Sequence, residues 1–84
     1  QGRAKRNYHP MGLAADITID DMSLQETFQL AEEISEIKGI GLNLTQKHVH
    51  IDTRKQEERV LWVIEKGEMI ELTEQNRAQY FEKN

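Results

Sequence analysis

The chain contains no cysteine, so no disulfide can staple it, and stability beyond a small apolar core must come from a metal, a partner or further chain. It has no apolar run approaching the roughly 20 residues that span a bilayer, and no apolar core of a signal peptide follows the charged start. A helical membrane span is therefore not expected. An excess of positive charge is also missing: 11 Lys and Arg stand against 15 Asp and Glu, for a net charge of -4. That balance describes an acidic domain and not a general polyanion binder, so nucleic acid is not an expected partner. The one basic cluster, Arg3-Ala4-Lys5-Arg6, reads as part of a flexible, solvated tail over residues 1–7. Repeats, low-complexity tracts and internal linkers are absent as well. The 84 residues bound the answer to one domain, 1–84, with a modest core.

What is present is a regular alternation of local signals. Residues up to Gly12 are polar and punctuated by Pro10 and Gly12, which reads as a loop delivering His9. Ala14 to Ile19 alternates and carries β-branched residues, the pattern of a short strand holding Asp16. Ser23-Leu24-Gln25-Glu26 is a capping box, and Leu24, Phe28, Ala31, Ile34 and Ile37 recur at helical spacing, with Gly39 placed to end the helix. Ile40–Leu44 is a second apolar segment. His48 to Thr53 alternates strictly, so His48, His50 and Asp52 share one face while Val49 and Ile51 point to the core. Val60–Ile64 and Met69–Leu72 flank Lys66-Gly67 as a hairpin, and Thr73 is placed to cap a last helix over 74–81. The expected architecture is α+β, with a small, mainly antiparallel sheet packed against one main helix.

The chemistry resides in the placement of histidines and aspartates. His9 and Asp16 bracket a segment where Gly12 and Ala14 leave the backbone unobstructed, and His50 stands on a separate strand beside Asp52. Zinc accepts imidazole nitrogen and carboxylate oxygen, and catalytic zinc sites keep three protein ligands and one open position. By residue type alone, the alternating histidines fit a metal site and a solvated sheet face equally well.

His9-Pro10-Met11-Gly12-Leu13-Ala14-Ala15-Asp16 resembles the H-x-x-G-x-A-x-D element of zinc D-alanyl-D-alanine peptidases, the M15 peptidase family, and His48-Val49-His50-Ile51-Asp52-Thr53-Arg54 resembles its H-x-H-x-D element. The resemblance runs from about Tyr8 to Arg54, and the same core is shared with the signalling domain of hedgehog proteins. It implies a hedgehog/DD-peptidase-like fold and a Zn2+ ion held by His9, Asp16 and His50. The implied activity is D,D-carboxypeptidase or D,D-endopeptidase cleavage of peptidoglycan stem peptides, in the periplasm or outside the cell. Zinc in such a site polarises the scissile carbonyl and brings the pKa of its water to roughly 7.

Two departures accompany the resemblance. Active relatives place an acidic residue shortly before the last histidine ligand, where this chain has Leu44, Thr45, Gln46 and Lys47. His48 then becomes the candidate catalytic residue, as proton shuttle or oxyanion stabiliser, and Asp52 the partner that fixes a ligand imidazole. Relatives also carry a substrate-binding arginine upstream of the first element, most of which this chain does not include. The domain is accordingly expected to be a fragment or a reduced version of the fold. The alternatives are a zinc-binding recognition module without catalysis, in which the metal is structural, and an interaction domain without metal.

Overall fold

A computed structural model describes residues 13–81 of the chain. The elements run β1 (Ala14–Ile17), α1 (Leu24–Glu32), β2 (Gly39–Asn43), β3 (His48–Asp52), β4 (Val60–Glu65), β5 (Glu68–Glu71) and α2 (Arg77–Phe81). The strands form one sheet in the order β1-β3-β2-β4-β5. Neighbours are antiparallel except β2 and β4, which are parallel. The α+β class stands, and the sheet is mainly antiparallel as expected, made mixed by one parallel pair. The parallel pair arises because the chain leaving β3 crosses the start of β2 before entering β4, so Gly39 is in register with both Asp52 and Val60. No local pattern in the sequence encodes that crossing.

The core lies between α1 and one face of the sheet. Phe28 of α1, Ile40 and Leu42 of β2, Val49 of β3 and Val63 of β4 are completely buried, and Ile51 and Leu61 pack against them. Removing each such side chain from water contributes about 1.5–3 kcal/mol. α2 closes one end: the Phe81 ring lies 5.0 Å from that of Phe28, and Arg77 pairs with Glu32 while covering Phe81.

α1 starts where the capping box places it. The Ser23 hydroxyl accepts from the Glu26 amide at 3.0 Å, and the Glu26 carboxylate accepts from the Ser23 amide at 2.9 Å. Its end differs from the expected one. The helix stops at Glu32, Ile34 is 45% exposed, and only Ile37 of the later stripe residues returns to the core. Arg59 accounts for the early stop. Its guanidinium donates to the carbonyls of Glu32, Ile34 and Ile37 at 2.8, 2.7 and 2.9 Å, satisfying acceptors that a longer helix would have used internally. Gly39, expected to end the helix, opens β2 instead, and a Cβ there would collide with the Asp52 carboxylate.

The β4–β5 hairpin turns on Lys66 and Gly67, with φ of 53° and 77°, the two left-handed positions of a type I′ turn. Of the expected last helix, residues 77–81 are helical. Ahead of them Thr73 and Asn76 exchange hydrogen bonds, with the Thr73 amide donating to Asn76 Oδ1 and the Asn76 amide to Thr73 Oγ1.

Because Arg59 alone holds three carbonyls at the end of α1, Arg59→Ala is expected to destabilise the fold by about 2 kcal/mol, the scale of hydrogen bonds to a charged donor. Arg59→Lys should recover less than half of this loss, since an ammonium lacks the planar fork. Urea denaturation of the three proteins measures both differences.

Candidate metal centre

β3 presents Val49 to the core and, by strand alternation, His48, His50 and Asp52 to the opposite face of the sheet. Pairing then assembles that face. Asp16 stands directly opposite His50 across the β1–β3 ladder. On the other side of β3, Gly41 is the partner of His50, Trp62 the partner of Gly41, and Glu71 the partner of Trp62. Asp16, His50, Gly41, Trp62 and Glu71 thus form one transverse row across all five strands.

His50 lies between two carboxylates. Its Nδ1 is 3.0 Å from Asp16 Oδ1 and its Nε2 is 2.9 Å from Asp52 Oδ2. A neutral imidazole has one ring proton and can donate to only one of them. With the proton on Nε2, donated to Asp52, the Nδ1 lone pair faces the lone pairs of Asp16. The arrangement therefore calls for a second positive charge in the Asp16–His50 gap, either a proton on Nδ1 or a cation. Two ligands on one tetrahedral zinc with bonds of about 2.0–2.2 Å lie roughly 3.3–3.6 Å apart, so the 3.0 Å separation of Nδ1 and Oδ1 is that of a direct hydrogen bond, and the two groups would have to part by a few tenths of an ångström to share an ion. His48 completes the cluster, with Nε2 at 3.6 Å from Asp16 Oδ2.

Asp52 is the anchor of this face. Its carboxylate is 8% exposed and receives the Arg54 guanidinium in a two-pronged pair, Nε to Oδ1 at 2.8 Å and Nη2 to Oδ2 at 2.7 Å, with the Arg54 amide at 3.2 Å. The Arg54 guanidinium lowers the Asp52 pKa to about 2, against burial, which pushes it up, and with help from His50. An ionised Asp52 fixes the His50 ring through Nε2, which leaves Nδ1 for Asp16 or a metal.

The packing around His50 comes from β2 and β4. Gly41 leaves room for the Trp62 indole, which occupies the space that a Cβ at position 41 would fill. The indole lies 5.5 Å from the His50 ring, and the Arg54 guanidinium sits 5.5 Å from its centroid. The motif reading did not include Trp62, Gly41 or Arg54 in the site. A glycine inside an apolar strand is the signal that could have located the first two, since it marks a close approach from a neighbour.

Of the residues singled out in the sequence, Asp16, His48, His50 and Asp52 come together on this face, while His9 lies outside the described residues. Among the described residues, no three His, Cys, Asp or Glu side chains converge as a complete metal-binding group; Asp16 and His50 supply two donors. The segment before His50 builds the β2–β3 turn. Asn43 Oδ1 accepts from the Gln46 amide, Thr45 Oγ1 accepts from the Gly67 amide, and Lys47 adopts a φ of 62°. It supplies no carboxylate to the site. Among the described residues, no helix is long and apolar enough to cross a membrane. Compared with protein-family models, curated proteins and solved structures, the chain has no match.

The depressed Asp52 pKa sets a sign for acid stability. The group is stabilising above its ordinary value of 3.8, and that contribution is lost as pH falls through about 2. In metal-free protein, Asp52→Asn is expected to cost about 2 kcal/mol near neutral pH. The gap between the two proteins should close on acidification through this window. Denaturant titrations at a series of pH values measure it, and a gap independent of pH would contradict the assignment.

Proposed function

We propose that this chain is a zinc-dependent peptidase of the D-alanyl-D-alanine type, with the hedgehog/DD-peptidase fold, acting as a D,D-carboxypeptidase or D,D-endopeptidase on peptidoglycan stem peptides in the periplasm or outside the cell. The observation that carries the reading is His50 held between Asp16 and Asp52, with one carboxylate facing Nδ1 and the other facing Nε2. His9, Asp16 and His50 hold the ion in this reading. Zinc, when bound, supplies Lewis acidity toward the scissile carbonyl and makes an attacking water available near neutral pH.

The remaining roles belong to the chain's own side chains. Asp52, ionised by Arg54, keeps the proton of His50 on Nε2 and the ring fixed in the plane that serves Nδ1. His48, on the same strand face and 3.6 Å from the second oxygen of Asp16, takes a proton from the attacking water and returns it to the leaving amine. Trp62 and Gly41 wall the site on its β4 side.

Elemental analysis should find one zinc per chain in the protein and none in His50→Ala, and zinc-loaded protein should release D-alanine or open cross-links in a muropeptide digest. An intact digest with verified zinc occupancy would overturn the peptidase reading.

His48→Ala is expected to keep the zinc and lose about 10²- to 10³-fold in kcat, the range of general acid–base catalysis. Unchanged kcat at full occupancy would remove His48 from the mechanism.

A second reading, a zinc-binding recognition module without catalysis, is favoured by one observation. The residues before His50 are committed to turn hydrogen bonds and hold no carboxylate. Under that reading chelation lowers the melting temperature while the digest stays intact.

A further inference from the structure

The sheet has two outer strands, β1 and β5, and each leaves one row of backbone N–H and C=O groups without a neighbouring strand. The two rows are not alike. On β5 the Glu71 carbonyl accepts from Asn76 Nδ2 at 3.0 Å, and Glu68 and Glu71 put a charge at each end of the strand. β1, Ala14-Ala15-Asp16-Ile17, has neither lysine nor proline to guard its edge, and its one charge is turned inward, with the Asp16 carboxylate against His50 and His48.

Ladder parity decides which groups of β1 face outward. The Thr53 amide donates to the Leu13 carbonyl at 3.0 Å, so Leu13 and Thr53 are a hydrogen-bonded pair. By alternation Ala15–Ile51 and Ile17–Val49 are hydrogen-bonded as well, while Ala14–Asp52 and Asp16–His50 are non-hydrogen-bonded pairs. Side chains stand closer in a non-hydrogen-bonded pair, which brings the Asp16 carboxylate to His50. The backbone of the same residue points away from β3. Ala14 and Asp16 therefore present their N–H and C=O groups to the outside, and among the described residues these groups have no partner.

The side chains beside that row leave room for a ligand. Ala14 and Ala15 are exposed and end at Cβ, so another backbone can approach to the ordinary strand spacing of about 4.8 Å. An extended peptide is the ligand that complements such an edge, because its own N–H and C=O groups alternate in the same way. A peptide there lies one strand spacing from β1 and two, roughly 10 Å, from β3. The Asp16 side chain bridges the interval to the His50 imidazole.

We propose that the outer edge of β1 binds an extended peptide as an added strand, through the N–H and C=O groups of Ala14 and Asp16. The proposal rests on the peptidase reading to name that peptide as substrate, and deepens it by placing substrate binding on main-chain groups of the strand that carries Asp16.

Main-chain binding has an alternating signature. In free protein, hydrogen exchange should be slow at the amides of Ala15 and Ile17 and fast at those of Ala14 and Asp16. The probe is acetyl-Lys-D-Ala-D-Ala, added with chelator so that no cleavage intervenes. With peptide at about ten times its Kd, exchange at Ala14 and Asp16 is expected to slow about tenfold. Ala14→Pro removes one outward N–H and no bond of the β1–β3 ladder, a change that an edge strand accommodates. It should keep the melting temperature and bind the peptide about fivefold more weakly, the scale of one hydrogen bond. Unchanged exchange at Ala14 and Asp16 with peptide bound, or no binding at millimolar concentration, overturns the proposal. So does slow exchange at these two amides in free protein that deepens with protein concentration, which would assign the edge to a second copy of the chain.

Zinc-loaded protein is then given the same peptide. Protection of the edge amides without release of D-alanine supports the peptide-binding edge and overturns the peptidase reading. Release of D-alanine with the edge amides unprotected does the reverse.

Discussion

β3 is paired on both sides, to β1 and to β2, and its residues alternate between two media. Val49 is fully buried under α1 and Ile51 packs against the same core, while His48, His50 and Asp52 face the opposite side. A slip of one residue in this strand would put imidazoles into the core and branched aliphatics onto the site. The burial of Val49 and Ile51 therefore fixes the register of the histidines, and through the ladder it fixes Asp16 opposite His50. The core and the candidate centre are two consequences of one alternation.

The second constraint is the space left by two glycines. Gly39 and Gly41 lie in β2 beneath Asp52 and Trp62, where side chains would collide with both. Their absence lets a buried carboxylate settle between Arg54 and His50 and lets an indole lie across β2 toward the imidazole. Conformational freedom is not the reason for glycine at either position, since neither has a positive φ. What matters is the missing Cβ. The result is a site whose polar atoms are oriented by neighbours on three strands, as preorganised chemistry requires.

Much of this could be read from the sequence because the signals are local. The capping box at Ser23, the alternation of His48 to Asp52 and the Lys66-Gly67 turn each depend on residues within a few positions, and each lies in the structure where the pattern puts it. The helix end could not be read. Ile34 and Ile37 continue the apolar spacing of α1, but Arg59, distant in sequence, satisfies the carbonyls there and lets the chain unwind. The parallel pairing of β2 with β4 is likewise a product of chain crossing. At the site, the motif spacing singled out Asp16, His48, His50 and Asp52, whereas the contributions of Arg54 and Trp62 depend on contacts made only once the sheet has formed.

The proposed function requires that Asp16 and His50, through Nδ1, can serve as zinc ligands while Asp52 keeps the proton on Nε2. Long-range proton–nitrogen NMR of the histidine side chains during a zinc titration tests it most directly. The account predicts that the Nδ1 resonance of His50 moves to the position of a metal-bound nitrogen while Nε2 remains protonated and hydrogen-bonded. A His50 ring whose two nitrogens are both unaffected by zinc, or one that binds it through Nε2, would contradict the account.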